Sequence, residues 1–235
     1  MTTTLITGSN KGLGYETARQ LIAAGHTVYA GARDPERGRA AAERLGAQFI
    51  WLDVTDDASV AAAAKTIEAD GGLDVLVNNA GIEGRASGNA VIGPANETAG
   101  HMQALFDTNV FGLVRMLHAF LPLLQRSAAP VVVNLSSGLS KTADLANLDG
   151  PVHFYPGVAY PASKTAVNTL TVQYAKAFPA IKINAVDPGY TATDLNGGTG
   201  TQTVTEGAEI IVRMAMIGHE GPTGRYFNAS GSVAW

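Results

Sequence analysis

The chain of 235 residues contains no cysteine, which excludes a disulfide framework, a thiolate nucleophile and any cysteine-ligated metal, and is compatible with a reducing cytoplasm. Its five histidines fall at no metal-ligand spacing. Charge is sparse as well: 16 Lys and Arg against 20 Asp and Glu leave a net charge of -4, with the basic residues scattered. That distribution gives no electrostatic footprint for nucleic acid or for a membrane surface. Long apolar runs are missing; the longest, Val110 to Leu124, is interrupted by Arg115 and His118. The chain opens directly on a strand pattern without a basic, apolar, small-residue leader, and no Pro- or Ser-rich linker divides it. The expectation is one soluble, unprocessed, cytoplasmic domain over residues 1–235 whose partners are small molecules.

What the chain has is glycine in a telling place. The apolar run Thr4, Leu5, Ile6 enters Thr7-Gly8-Ser9-Asn10-Lys11-Gly12-Leu13-Gly14, and a helical pattern follows through Leu21 and Ile22. A strand that feeds a helix through glycines leaves backbone N–H groups aimed at one point, where the helix dipole adds positive potential, so a diphosphate fits. The spacing departs from the common G-x-G-x-x-G, and Thr17 stands where a third glycine is expected.

Apolar strands then alternate with helices. Strands are predicted over His26–Gly31, Ala47–Leu52, Leu73–Val77, Val131–Leu135, Ile181–Val186 and Gly224–Phe227. Helices are predicted over 35–45, up to Ala69, over 97–124 with a break near Asp107, over 160–178, and over 206–217 with Thr205 placed to cap the last. Strands that are nearly all apolar and separated by helices indicate a parallel sheet covered on both faces, a doubly wound α/β fold. In such a sheet ligands bind at the carboxyl ends of the strands, here the loops after Val77, Leu135 and Val186.

Several groups at that edge carry chemistry. The end of the second strand reads Gly31-Ala32-Arg33-Asp34. A carboxylate there would accept a ribose 2'-OH, and a cation would favour a 2'-phosphate. Ala32 occupies the acid's place, with Arg33 beside it and Lys11 able to point the same way; Asp34 keeps NAD open unless it caps the following helix, and a solvated Arg33 is the plain alternative. Asn78-Asn79-Ala80-Gly81 ends the fourth strand, where Asn78 can brace its neighbour. Tyr160 and Lys164 are four apart on a helix and share a face, so the ammonium can approach the phenol and bring its pKa of about 10 toward neutrality. Ser136-Ser137-Gly138 puts a hydroxyl at the same edge. Asn109, a mediocre helix former, suggests a polar role for its side chain, and His118 reads as a satisfied core histidine.

Taken together, Thr7-Gly8, Gly12-Leu13-Gly14, Asn78-Asn79-Ala80-Gly81, Asn109, Ser137, Tyr160 with Lys164, and Pro188-Gly189 with Thr191 resemble the short-chain dehydrogenase/reductase family over essentially the whole chain. The resemblance implies a Rossmann-type parallel sheet of about seven strands and a nicotinamide cofactor. It implies Tyr160 as proton donor to a carbonyl oxygen, Lys164 lowering its pKa and holding the nicotinamide ribose, Ser137 orienting the carbonyl, and Asn109 supporting a proton relay. It also implies cofactor contacts from Gly8, Asn10, Lys11, Gly12, Leu13, Gly14 and Arg33, from Asp53 and Val54 at the adenine end, from Asn78, Ala80 and Gly81, and from Val186, Pro188, Gly189, Thr191 and Thr193. Gly8 to Gly12 and Ala32-Arg33-Asp34 are most similar to NADPH-dependent carbonyl reductases. Ser137 and Tyr160 are 23 positions apart, so an insertion at about 138–159 overhangs the site; it resembles, in shortened form, that of the carbonyl reductases, and leaves monomer and homo-oligomer both open. The expected function is NADPH-dependent reduction of a small ketone or aldehyde, with an NAD-dependent alcohol dehydrogenase and a non-catalytic dinucleotide sensor as alternatives.

Overall fold

The computed structural model describes residues 2–235. The chain runs β1 (Thr3–Thr7), α1 (Gly12–Ala23), β2 (Thr27–Ala32), α2 (Pro35–Leu45), β3 (Gln48–Trp51), α3 (Asp57–Ala69) and β4 (Val75–Asn78). It continues through α4 (Ala99–Phe106), α5 (Gly112–Leu124), β5 (Val131–Leu135), α6 (Thr142–Ala146), α7 (Ala159–Ala177), β6 (Lys182–Val186), α8 (Val204–Ala215), β7 (Tyr226–Asn228) and β8 (Gly231–Val233). Among the described residues these strands form one eight-stranded sheet of order β3-β2-β1-β4-β5-β6-β7-β8. β1 through β7 pair in parallel and β8 returns antiparallel on β7, with Phe227 opposite Ser232. The fold is the expected α/β arrangement; the eighth strand is an addition that the polar Gly231-Ser232-Val233 gave no pattern for.

The two-residue period of each strand splits the core. Leu5, Tyr29, Leu76, Val132 and Ile183 point to one face and pack under α3, α5 and α7. Their neighbours Ile6, Val28, Val77 and Val133 point to the other, against Leu21 of α1 and Ile210, Ile211 and Met214 of α8. Consecutive apolar residues are thus a requirement of a sheet covered twice.

Helix ends follow local chemistry. Pro35 opens α2, Asp34 Oδ1 accepts from the N–H groups of Glu36 and Arg37 at 3.1 and 3.0 Å, and Gly46 ends it with a φ of 69°. Asp56 caps α3. The last long helix starts earlier than expected: Thr203, and not Thr205, is its cap, in a reciprocal pair with Glu206. The predicted break near Asp107 is a π-helical turn, Asp107–Phe111, over which Arg115 Nη1 donates to Asp107 Oδ1 at 2.8 Å. Counted through that turn, Ala99–Leu124 is long and apolar enough to cross a membrane by length and composition alone, but half of its most apolar stretch is buried inside the protein. His118 corrects the sequence reading: it is exposed, because it lies on the outer side of α5 while Leu117 and Leu121 turn inward. At the far end of the sheet Trp235 stacks on Tyr226, with ring centroids 5.6 Å apart and planes 10° from parallel.

Candidate active site

β1 and β4 are neighbours in the sheet although β2 and β3 lie between them in sequence, so the loops after them leave in opposite directions and open a crevice. A cavity of about 1420 Å³ occupies it, floored by the glycine loop and extending to the ends of β5 and β6.

At one end α1 starts at Gly12 with no side-chain cap and no acidic residue in its first turn, unlike α2, α3 and α8. Its first N–H groups therefore remain available to an anion. Gly8 has a φ of 66°, and a Cβ on Gly14 would lie 2.6 Å from the Gly8 carbonyl oxygen and 2.5 Å from Asn79 Nδ2. Gly14 thus supplies the close packing for which Thr17 is unsuited, and Thr17 is itself buried. The turn is held from below: Asn79 Nδ2 donates to the carbonyls of Thr7 and Gly8 at 2.7 and 3.1 Å, and Thr7 Oγ1 accepts from the N–H groups of Asn79 and Ala80 at 3.0 and 2.8 Å. A diphosphate is the group that this cradle suits.

Gly8, Asn10, Lys11, Gly12, Leu13, Gly14, Arg33, Asp53, Val54, Ala80 and Gly81 all line the cavity, as do Pro188, Gly189, Thr191 and Thr193. Asn78 does not. It is buried behind the groove, where its Nδ2 donates to Asn134 Oδ1 of β5 at 2.9 Å, and Asn79 takes the position facing the loop. Val186 is likewise fully buried in the core. Lys11 also differs from expectation: its Nζ is 2.6 Å from Asp194 Oδ2 across the groove. Arg33 is exposed at the carboxyl end of β2 with no ion pair among the described residues, while Trp51 Nε1 donates to its carbonyl oxygen at 3.1 Å. Asp34 is engaged as the cap of α2 and pairs with Arg37 at 3.4 Å.

At the other end Ser137, Tyr160 and Lys164 come together. Ser137, extended at a φ of -164°, opens a 3-10 turn and its Oγ accepts from the N–H of Leu139 at 3.2 Å. Lys164 is buried; its Nζ donates to the Leu135 carbonyl at 2.8 Å and lies 5.6 Å from the centroid of the Tyr160 ring. Burial pushes its pKa down to about 8. The Tyr160 phenol moves opposite to the sequence expectation: burial raises its pKa, the carboxylates of Glu83 and Asp187 add to the rise, and a hydrogen bond with Ser137 opposes it. The phenol is therefore held protonated at neutral pH. Asn109 enters from the π turn, and its amide is fully engaged: Oδ1 accepts from the Ile82 N–H at 2.8 Å, and Nδ2 donates to the Ile82 carbonyl at 2.8 Å and to Ser163 Oγ at 3.1 Å. The side chain thereby fastens the loop after β4 to α7.

Sequence reasoning missed Glu83, Arg85 and Asp187, and did not single out Tyr155 within the insertion it expected over the site; all four line the cavity. Glu83 and Arg85 stand just beyond the Asn-Asn-Ala-Gly turn, and two charges so close to an apolar strand end were the signal available.

The family described as short chain dehydrogenase matches residues 2–203. A (+)-neomenthol dehydrogenase of Capsicum annuum is 32% identical, covering 95% of this chain and 94% of that one. Salutaridine reductase of Papaver bracteatum is 30% identical over 96% and 94%. The NADPH-bound carbonyl reductase from chicken fatty liver superposes with a TM-score of 0.85 at 28% identity, covering 99% of this chain and 98% of that one.

Proposed function

Because the chain belongs to the short-chain dehydrogenase/reductase family and is an oxidoreductase of that family, we propose that it reduces the carbonyl of a small ketone or aldehyde with NADPH, reversibly with the alcohol. The observation that carries this reading is the convergence of Ser137, Tyr160 and buried Lys164 at one end of a groove whose other end is an uncapped helix N-terminus. When bound, the nicotinamide supplies the hydride. The chain does the rest: Ser137 holds the carbonyl oxygen, and Tyr160, kept protonated by its surroundings, gives that oxygen a proton. Lys164 stands behind the phenol, below a pKa of about 8 a cation, and leaves two of its three N–H donors for a ribose or for the phenol once it is charged.

NADPH over NADH is supported by Arg33 at the end of β2 and by Asp34, which as a helix cap no longer stands for a ribose. The substrate is a small molecule, and a cytoplasm with a reduced nicotinamide pool is the compartment this reading implies. The test is a panel of ketones and aldehydes with NADPH, followed at the reduced-nicotinamide absorbance with the alcohol identified. Consumption matched by alcohol is expected. Tight NADPH binding without turnover of any carbonyl compound would leave a dinucleotide sensor instead.

A further inference from the structure

The face of α7 that carries Tyr160 and Lys164 continues one turn further to Asn168, four residues on again. Asn168 is buried and, like Ser140, lies outside the cavity lining, so it is out of reach of cofactor and substrate. Its amide is spent on the chain around Ser137. Ser136 Oγ donates to Asn168 Oδ1 at 2.6 Å, and Asn168 Nδ2 donates to Ser140 Oγ at 2.8 Å. Ser140 Oγ in turn donates to the Tyr226 hydroxyl oxygen at 3.4 Å. The donors thus run in one direction, from Ser136 through Asn168 to Tyr226, which fixes the way the amide faces. One side chain grips both the residue before Ser137 and the residue three after it.

Between those grips the Ser140 N–H donates to the Ser137 carbonyl at 2.9 Å, closing the 3-10 turn Gly138–Ser140. Thr165 Oγ1, also on α7, donates to the Ser140 carbonyl at 2.7 Å. These side-chain fastenings come from the helix that carries Tyr160. A carbonyl oxygen that takes a hydrogen bond from Ser137 and a proton from Tyr160 needs the two hydroxyls at a constant separation, and an error of about 1 Å costs about a hundredfold in rate. A loop leaving a strand end does not supply that constancy unless its neighbours lock it.

We propose that Asn168 is a positioning residue for the reduction: by holding Ser136 and Ser140 it sets the Ser137 hydroxyl in register with Tyr160 on the same helix. This rests on the carbonyl-reductase reading above.

The test is a double-mutant cycle read with ethyl benzoylformate and NADPH in single-turnover mixtures at high enzyme concentration, where slow variants remain measurable. Asn168→Leu keeps the branching of the side chain and suits a helix. It leaves Ser136 and Ser140 their longer contacts, to the Lys164 carbonyl and the Tyr226 hydroxyl, both at 3.4 Å. The substitution should lower the rate of reduction by about tenfold to a hundredfold, with the NADPH Kd by calorimetry within about twofold of the parent. In a Ser137→Ala background it should change the rate by less than about twofold, because no hydroxyl is left to place. A role in stability alone lowers the melting temperature and moves the rate equally in both backgrounds, or in neither. Either of those results, in a folded Asn168→Leu protein, overturns the inference. If Asn168→Leu does not fold, Ser140→Ala cuts one of the two grips and is held to the same comparison. NADPH binding without turnover of any carbonyl compound removes the carbonyl-reductase reading, and this inference with it.

Discussion

Lys11 Nζ and Asp194 Oδ2 are 2.6 Å apart, joining the glycine loop at the start of the chain to the segment that follows β6. The contact holds Asp194 below the usual carboxylate range, through hydrogen bond and charge together. Both side chains are largely exposed, so the pair contributes little to stability. Its importance is that Lys11 already has an anion, which leaves Arg33 as the cation at the end of β2.

The first prediction concerns cofactor choice. Arg33→Ala should lower the NADPH-to-NADH ratio of kcat/KM by about ten- to a hundredfold, the worth of a charge-assisted contact to phosphate. Lys11→Ala should lower it less. A ratio that responds to Lys11 and ignores Arg33 would reverse the assignment.

Tyr160→Phe should bind NADPH nearly as well as the parent while turnover falls by several orders of magnitude, since the proton donor is lost and the cradle at Gly8, Gly12 and Gly14 is untouched. Calorimetry beside steady-state rates separates the two. Near-normal turnover in the Phe variant would remove Tyr160 from the chemistry.

Lys164→Met combines loss of activity with a gain in stability. Burial lowers the Lys164 pKa from 10.5 to about 8, so the folded state disfavours the charged form. The cost is full below about pH 8 and disappears as pH rises through the ordinary lysine range, where the unfolded chain also loses its proton. At 1.36 kcal/mol per pH unit the ceiling is about 3 kcal/mol, reduced by about 1 kcal/mol for the lost hydrogen bond to Leu135. The variant should therefore melt above the parent at pH 7, with the margin shrinking toward pH 10. A margin that grows with pH would contradict the burial argument.

Gly14→Ala places a methyl against backbone as well as side chain, at the Gly8 carbonyl and Asn79 Nδ2. Overpacking of this kind costs about 1 to 3 kcal/mol. Because what must yield is the floor of the cradle, NADPH affinity should fall by at least about tenfold even where the protein stays folded. Unchanged affinity in calorimetry would show that the turn relaxes without consequence.

The sheet was legible because each strand must satisfy two covered faces, which leaves runs such as Val131 to Leu135 apolar at every position but Asn134. Strand β8 was not, since a three-residue strand at a sheet edge needs no such pattern. Local chemistry located the Asp34 cap, but Thr203 and Thr205 are both plausible caps until the reciprocal contact with Glu206 is seen. At the site, residues on strand ends and helix faces could be placed from periodicity: Ser137, Tyr160, Lys164 and the glycines. Which of Asn78 and Asn79 faces the groove depends on how the strand ends, and the direction of the Tyr160 pKa depends on Glu83 and Asp187, brought close only by the folded loops.

The chain's two tryptophans both lie outside the groove, each linked to it through a neighbour. Trp51 is hydrogen-bonded to the carbonyl of Arg33, where a 2'-phosphate would arrive, and Trp235 is stacked on Tyr226, whose hydroxyl oxygen lies 3.4 Å from Ser140 Oγ on the turn that begins at Ser137. Each indole is thus a native fluorophore coupled to a different end of the site, Trp51 through Arg33 and Trp235 through Tyr226 and Ser140. Trp51→Phe leaves an emission that follows events at the substrate end, and Trp235→Phe leaves one that follows the nucleotide end. Binding at either end can then be timed separately by light, with no label attached.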